Sequence, residues 1–339
     1  MYTLSSRPPC NHFYSTVASI KHAIVFASDG RWTEATEPCA VAVGNFDGVH
    51  LGHAEIVRRL VDTARRRSVP AVVVTFDPPP AAIVRPASAP QPLTTVRRRA
   101  DLLLALGADA VLVQPTDAEL VALTAEAFYA EILRGRLRAA ALVEGSDFRF
   151  GAGRRGDVNL LASLCAADGA SLEVVPPVVV EGAPVSSSRL RGLITEGRVG
   201  EANRLATAAY RLTGRVVEGQ RRGGPLGFPT ANLASIATLL PGQGVYAGWA
   251  TIADGPDRHP TAIHIGPTVS FGGSEISIEA HLIGFRGDLY GTTLHVDFLE
   301  RLRDTRRFAS VDDLKQQLAA DVARAEAIAS AAVSIERTP

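Results

Sequence analysis

Two histidines close a short glycine-containing stretch, Gly44-Asn45-Phe46-Asp47-Gly48-Val49-His50-Leu51-Gly52-His53. A spacing of three sets both imidazoles on one helical face. The apolar run at 40–43 just ahead reads as a strand. Residues 51–67 behind it read as a helix, with Ile56, Val57, Leu60 and Val61 apolar. A helix N-terminus offers unsatisfied N–H groups and the positive end of the dipole, which suits phosphate, and glycines admit close backbone approach. Imidazole N–H groups at that end can reach phosphate oxygens. Taken alone, the string reads equally as a capped helix with two surface histidines. A second stretch, RVVEGQRRGGPLGFPTANL over 215–233, runs from glycines into Pro229-Thr230-Ala231-Asn232. On composition it is a loop at a barrel rim that ends in an Asx-type turn.

The elements that must carry these stretches fall into two textures. From about 39 to 180, short apolar runs (40–43, 71–76, 110–113, 140–143, 172–175) alternate with helical segments (51–67, 96–106, 118–133, 157–167). Strands apolar on both faces, alternating with helices, predict a parallel sheet covered on each side. Residues 187–205 read as one or two helices. After Tyr210, Gly and Pro multiply and short alternating segments follow at 212–217, 244–252, 261–265, 276–283 and 293–298. That pattern predicts an antiparallel barrel or sandwich. A final amphipathic helix over 311–331 starts after Ser310, an N-cap candidate, with Asp312 and Asp313 in its first turn.

Composition narrows the function classes. With 339 residues, two domains are the prior. Thirty-five acidic residues balance 35 basic ones, so no global field draws the chain to nucleic acid or anionic lipid. Lys21 and Lys315 are the only lysines, and no G-x-x-x-x-G-K-[ST] P-loop occurs. Cys10, Cys39 and Cys165 have neither metal nor disulfide-framework spacing, which fits a reducing compartment. No apolar run is long enough to span a membrane. Residues 1–20 lack the apolar core of a secretory signal. They are expected to be a poorly ordered extension of a cytoplasmic protein.

The first stretch resembles the H-x-G-H motif of the nucleotidyltransferase superfamily, in the form found in prokaryotic FAD synthetases. Thr75-Phe76-Asp77-Pro78, Gly145-Ser146-Asp147-Phe148-Arg149-Phe150-Gly151 and Ser186-Ser187-Ser188-Arg189-Leu190-Arg191 match that family in order. The second stretch is similar to the riboflavin kinase module. Gly244-Val245-Tyr246-Ala247, Glu279 within Ile278–Leu282, Gly287–Gly291 and Leu302-Arg303-Asp304 follow in the family order. The resemblance covers about 35–330. It implies a Rossmann-like α/β adenylyltransferase domain at 21–191, a connection at 192–209, and a riboflavin kinase β-barrel with a terminal helix at 210–332.

It also implies two reactions, riboflavin to FMN and FMN to FAD, with ATP as co-substrate, flavins as substrate and product, and Mg²⁺ as cofactor. No nucleic-acid or membrane partner is implied. His50, His53 and Arg191 would act on the ATP phosphates, with Gly44, Asn45, Phe46, Asp47, Gly52, Ser187 and Ser188 in the same phosphate site. Asp147 and Phe148 would shape the nucleotide or flavin pocket. In the kinase, Glu279 would be the general base that an alcohol nucleophile needs. Thr230 and Asn232, two apart in an extended segment, would supply oxygens to Mg²⁺. Gly219 to Gly227 would cradle phosphate, and Phe228, Tyr290 and Arg303 would line the flavin pocket.

Four positions depart from the family. Pro79 stands where a histidine is usual, so the adenylylation step is the one put in question; the alternative reading is an active kinase with an impaired adenylyltransferase. Glu144 replaces a residue that is commonly apolar. Thr268 and Val269 replace an Asn-Pro pair, which would loosen the loop ahead of Glu279.

Overall fold

The computed structural model describes residues 24–27, 37–219, 226–253, 255–267 and 276–336. The extension at 1–20, Cys10, most of the glycine-rich segment between Gly219 and Gly227, and Thr268 and Val269 lie outside the described residues. The chain divides into two compact units, residues 2–90 with 94–186, and residues 91–93 with 187–339.

The first unit is a six-stranded sheet flanked by helices. Its strands are β1 (Ile24–Ala27), β2 (Cys39–Val43), β3 (Ala71–Asp77), β4 (Ala110–Pro115), β5 (Ala139–Gly145) and β6 (Ser171–Val175), in the order β1-β4-β3-β2-β5-β6. All neighbours are parallel except β1, which runs antiparallel to β4 at the edge. Alternation along the strands feeds two separate cores. Val41, Val43, Val72, Val74 and Leu142 point to one face, and Ala40, Ala42, Val73, Val111 and Val143 to the other. Helices α1 (Leu51–Arg67) and α3 (Val96–Ala105) cover the second face through Val57, Leu60, Leu103 and Leu104. Helix α6 (Val158–Asp168) covers the first, and a two-stranded ribbon, β7 (Val179–Val180) with β8 (Ala183–Pro184), follows β6.

A short helix, α2 (Pro80–Val84), follows β3. The helical segment expected over 118–133 is broken. It forms α4 (Ala118–Ala122), then α5 (Ala125–Ala127), capped by Thr124, then a π-helix at Phe128–Arg136 that buries Phe128, Tyr129, Ile132 and Leu133 on the first face. Strand order reverses between β2 and β5. Ligands of such sheets bind in the crevice beyond the carboxyl ends of the strands at that reversal.

The second unit opens with α7 (Ser187–Thr195) and α8 (Val199–Leu205). Strands β9 (Tyr210–Val217), β10 (Ala231–Ala234), β11 (Gly244–Ile252), β12 (Arg258–Pro267), β13 (Ile276–Leu282) and β14 (Thr293–Arg303) close into an antiparallel barrel, ordered β10-β13-β12-β11-β14-β9. Tyr246, Ile263, Ile265, Leu294, Val296 and Phe298 are fully buried within the unit. The β11–β14 register slips beside Gly248, where a Cβ would fall 2.1 Å from the Asp297 carbonyl, so only glycine fits the bulge. The terminal helix, α9 (Val311–Glu336), is capped by Ser310, whose Oγ accepts the Asp313 N–H at 3.1 Å.

Candidate active sites

The first site is built on the turn between β2 and α1. Gly48 has φ 82°, and Phe46 and Val49 also sit at positive φ, 45° and 35°, so the turn is wound tightly. A polar cluster under it holds that winding. Asp47, 5% exposed, accepts the Thr94 N–H and hydroxyl, both at 3.0 Å. Arg99, 2% exposed, places its guanidinium 3.6 Å from the same carboxylate and donates to Thr75 Oγ1 at 3.1 Å. The Thr75 hydroxyl in turn donates to the Asn45 carbonyl at 3.0 Å.

The turn delivers His50 as the N-cap of α1, with His53 at its third position. Each backbone N–H donates to the other residue's Nδ1, both at 3.3 Å, in a capping box made of imidazoles. The rings stack with centroids 3.6 Å apart, and Phe46 meets His53 edge-on at 5.1 Å. Burial pushes the His50 pKa down to about 4, against the upward pull of Asp147 and Asp47. Burial, then His50 and Arg99, hold His53 well below its ordinary value. Both rings are therefore neutral at physiological pH. With Nδ1 accepting, each proton resides on Nε2, where it can be donated to an anion. Gly52 allows this packing, since a Cβ there would lie 3.1 Å from the His50 ring. A Cβ on Gly44 would lie 3.2 Å from the Phe46 ring.

Asp147 and Phe148 follow β5, across the sheet reversal from the histidine turn. Asp147 is exposed and acts electrostatically on His50. Phe148 is half-buried and stacks on Phe150 at 5.4 Å. Glu144 occupies the place where the β2–β5 ladder stops. The β2–β5 ladder ends at Val41 and Leu142, and beyond it the Glu144 carboxyl accepts the Val43 N–H at 2.8 Å. It is 2% exposed, and burial raises its pKa well above the ordinary value against the downward pull of the Val43 N–H. Pro79 sits just before α2 and caps it without a side-chain hydrogen bond. Ser187, Ser188 and Arg191 stand on α7, in the second unit, where Arg191 Nε donates to the Gln91 carbonyl at 3.1 Å.

The second site is a cavity of about 240 Å³ between the barrel and α9, lined among others by Phe228, Thr230, His264, Glu279, His281 and Arg303. Glu279 Oε2 stands 3.5 Å from the Thr230 hydroxyl, and Oε1 stands 3.4 Å from the Ser277 hydroxyl. Asn232 is the register partner of Glu279 across β10 and β13, so the two share a face. The chain passes close over Asn232: a Cβ on Gly219 would fall 2.1 Å from its Nδ2 and push the amide aside. Gly227 takes φ 90° in the approach to Phe228. His264, opposite Glu279 on β12, has its pKa lowered by burial while Glu279 pulls it up. The Arg303 guanidinium is committed to Asp321 of α9, with contacts of 3.1, 3.0 and 2.6 Å. Tyr290 is exposed in the turn before β14 and lies outside the cavity lining.

Sequence reasoning missed Thr94 and Arg99 at the first site and His264 and His281 at the second. Arg99 carried a signal: helical spacing sets it on the same stripe as Val96, Ala100 and Leu103, where a lone cation demands a buried partner.

Comparison with known proteins places both sites in one context. A family model for FAD synthetase matches residues 32–189, and one for riboflavin kinase matches residues 206–329. The bifunctional riboflavin kinase/FMN adenylyltransferase of Escherichia coli (strain K12) is 35% identical over 285 residues, which are 84% of this chain and 91% of that protein. The protein of the same description from Pseudomonas fluorescens is 38% identical over 294 residues, 86% of this chain and 93% of that one. A crystal structure described as a macrolide-efflux protein from Streptococcus pneumoniae superposes with a TM-score of 0.76 at 32% identity, over 85% of this chain and 94% of that one. No helix among the described residues is long and apolar enough to cross a membrane. Two family models in sequence order, and relatives matched over most of their length, converge on one assignment: this chain belongs to the bifunctional riboflavin kinase/FMN adenylyltransferase family.

Proposed function

We propose that this chain phosphorylates the riboflavin 5′-hydroxyl with ATP, giving FMN and ADP, and then adenylylates FMN with a second ATP, giving FAD and pyrophosphate. The observation that carries the reading is Glu279 beside Thr230 in the barrel cavity, with Asn232 as its cross-strand partner. In the kinase step Glu279 takes the proton of the 5′-hydroxyl as its oxygen attacks the γ-phosphorus and ADP leaves. The donor set suits Mg²⁺: a hydroxyl and an amide carbonyl are hard oxygen ligands. Substrate phosphate oxygens and water would supply the remaining ligands. When bound, the ion would neutralise charge on the transferring phosphates.

In the adenylyl step an FMN phosphate oxygen attacks the α-phosphorus of ATP and pyrophosphate leaves. The protein's part is positioning and charge stabilisation. The neutral Nε2–H groups of His50 and His53 donate to phosphate oxygens. The backbone from Gly44 to Asp47 approaches the phosphates, and Asp147 and Phe148 border the nucleotide or flavin. We place the enzyme in the cytoplasm, where ATP is available and the buried free thiols Cys39 and Cys165 stay reduced.

The test is a time course of flavins in a mixture of protein, riboflavin, ATP and Mg²⁺. FMN appearing first and FAD after it is the expected result. FMN accumulating without FAD would favour a kinase whose adenylyltransferase is disabled at Pro79, and absence of FMN would sink the proposal.

A further inference from the structure

His281 stands two residues beyond Glu279 on β13, so both side chains leave the strand on one face, and both line the cavity. The β10–β13 ladder pairs Asn232 with Glu279 and Ala231 with Ala280, and stops there. The next rung would set Thr230 opposite His281. Just beyond it Pro229, which lacks an N–H, cannot donate to a ladder. A side chain takes over: His281 Nδ1 lies 2.7 Å from the Pro229 carbonyl oxygen. A carbonyl only accepts, so the proton between them belongs to Nδ1. The Phe228 ring meets the imidazole edge-on, centroids 5.7 Å apart at 72°, and fixes its plane. The peptide held in this way joins Pro229 to Thr230.

We propose that His281 is a positioning residue of the kinase site. Its Nδ1–H clamps the Pro229–Thr230 peptide and so holds the Thr230 hydroxyl where it and Asn232 meet the cation carried by ATP. This rests on the metal-ligand reading of Thr230 and Asn232 given above. Groups that orient metal ligands from behind typically contribute 10- to 100-fold to metal affinity or activity.

The test compares full-length wild type, His281→Leu, His281→Asn and Thr230→Ala. Leucine fills similar space without a donor, whereas the asparagine amide puts an N–H near the place of Nδ1. Two readouts are taken: the Mg²⁺ concentration that half-saturates FMN formation, and calorimetric ADP binding with and without Mg²⁺. Thr230→Ala identifies which binding event belongs to the kinase site. In His281→Leu the Mg²⁺ requirement should rise by roughly 10- to 100-fold, and the Mg²⁺-dependent part of ADP binding should weaken in step. Riboflavin KM and riboflavin fluorescence quenching should hold, and His281→Asn should recover most of the loss. A His281→Leu chain with wild-type Mg²⁺ dependence overturns the inference, as does an asparagine variant as impaired as the leucine one. A riboflavin KM that rises with the loss of kcat also overturns it, because the whole cavity would then have collapsed. If Thr230→Ala leaves the Mg²⁺ dependence intact, the metal-ligand reading fails first and takes the inference with it.

Discussion

The buried pair under the histidine turn yields a sharp expectation. Replacing Arg99 with methionine preserves volume on α3 but strips the cation from beside Asp47, whose side chain is 7% exposed. Leaving one member of a buried pair uncompensated typically costs about 3–5 kcal/mol. The lower half of that range applies, because Asp47 keeps its two bonds from Thr94. For a unit of this size each kcal/mol moves the midpoint by about 2–4 °C, so thermal unfolding of the first unit should shift down by roughly 6–16 °C. Adenylylation of supplied FMN should fall as the turn loosens, while riboflavin phosphorylation by the barrel persists. The decisive arm is the double variant Asp47→Asn/Arg99→Met. It removes both charges, and neutral replacements for a buried pair are often tolerated. It should therefore be more stable than Arg99→Met alone, with a coupling energy clearly different from zero in the double-mutant cycle. A double variant no better than the single one, or an Arg99→Met chain with wild-type melting, would refute the idea that this ion pair holds the turn.

Three further outcomes follow from the same geometry. Glu279→Gln should lower FMN formation on the order of 10²- to 10⁴-fold and leave adenylylation of supplied FMN intact; near-normal kinase turnover would remove Glu279 as the base. His53→Ala should do the reverse, with FAD formation down on the order of 10²- to 10³-fold, and equal loss of both activities would point to misfolding instead. His50, whose pKa is pushed down to about 4 in the fold, binds its proton more weakly there than in the unfolded chain. Its contribution to stability is complete above the ordinary histidine pKa of about 6.5 and is lost as pH falls from there through about 4. An NMR titration that finds His50 near its ordinary value would contradict the burial argument.

The layered first unit and the barrel were legible because their signal is local. Runs such as Ala71–Phe76 are apolar on both faces wherever helices cover both sides of a sheet, and Leu212–Val217 alternates because a barrel wall has one inner face. Of the four strands that escaped notice, two show why. Ile24–Ala27 is a four-residue run that gains its meaning only from antiparallel pairing with β4, far along the chain. Ala231–Ala234 hides within a turn-like composition and is a strand because β9 and β13 flank it. The chemistry-bearing residues of the motifs stood out by type and spacing. Their supports did not. Asp47, Thr94 and Arg99 come together only on folding, and Glu144 reads as an anomaly until the Val43 N–H is seen beyond the end of the β2–β5 ladder.

The imidazole capping box has a consequence of its own. His50 and His53 each use one ring nitrogen to tie down the first turn of α1, and in the proposed adenylylation the other meets a phosphate. An anion that accepts from Nε2–H makes the ring richer in electrons and its Nδ1 a better acceptor, so occupancy of the site tightens the helix end. Linkage is reciprocal, so whatever stops that helix end from fraying also improves the site's grip on its anion, by the same factor. If phosphate binds there as proposed, the start of α1 is a fastener whose strength the ligand sets, and a substitution that frays the helix end also weakens the grip on the phosphate.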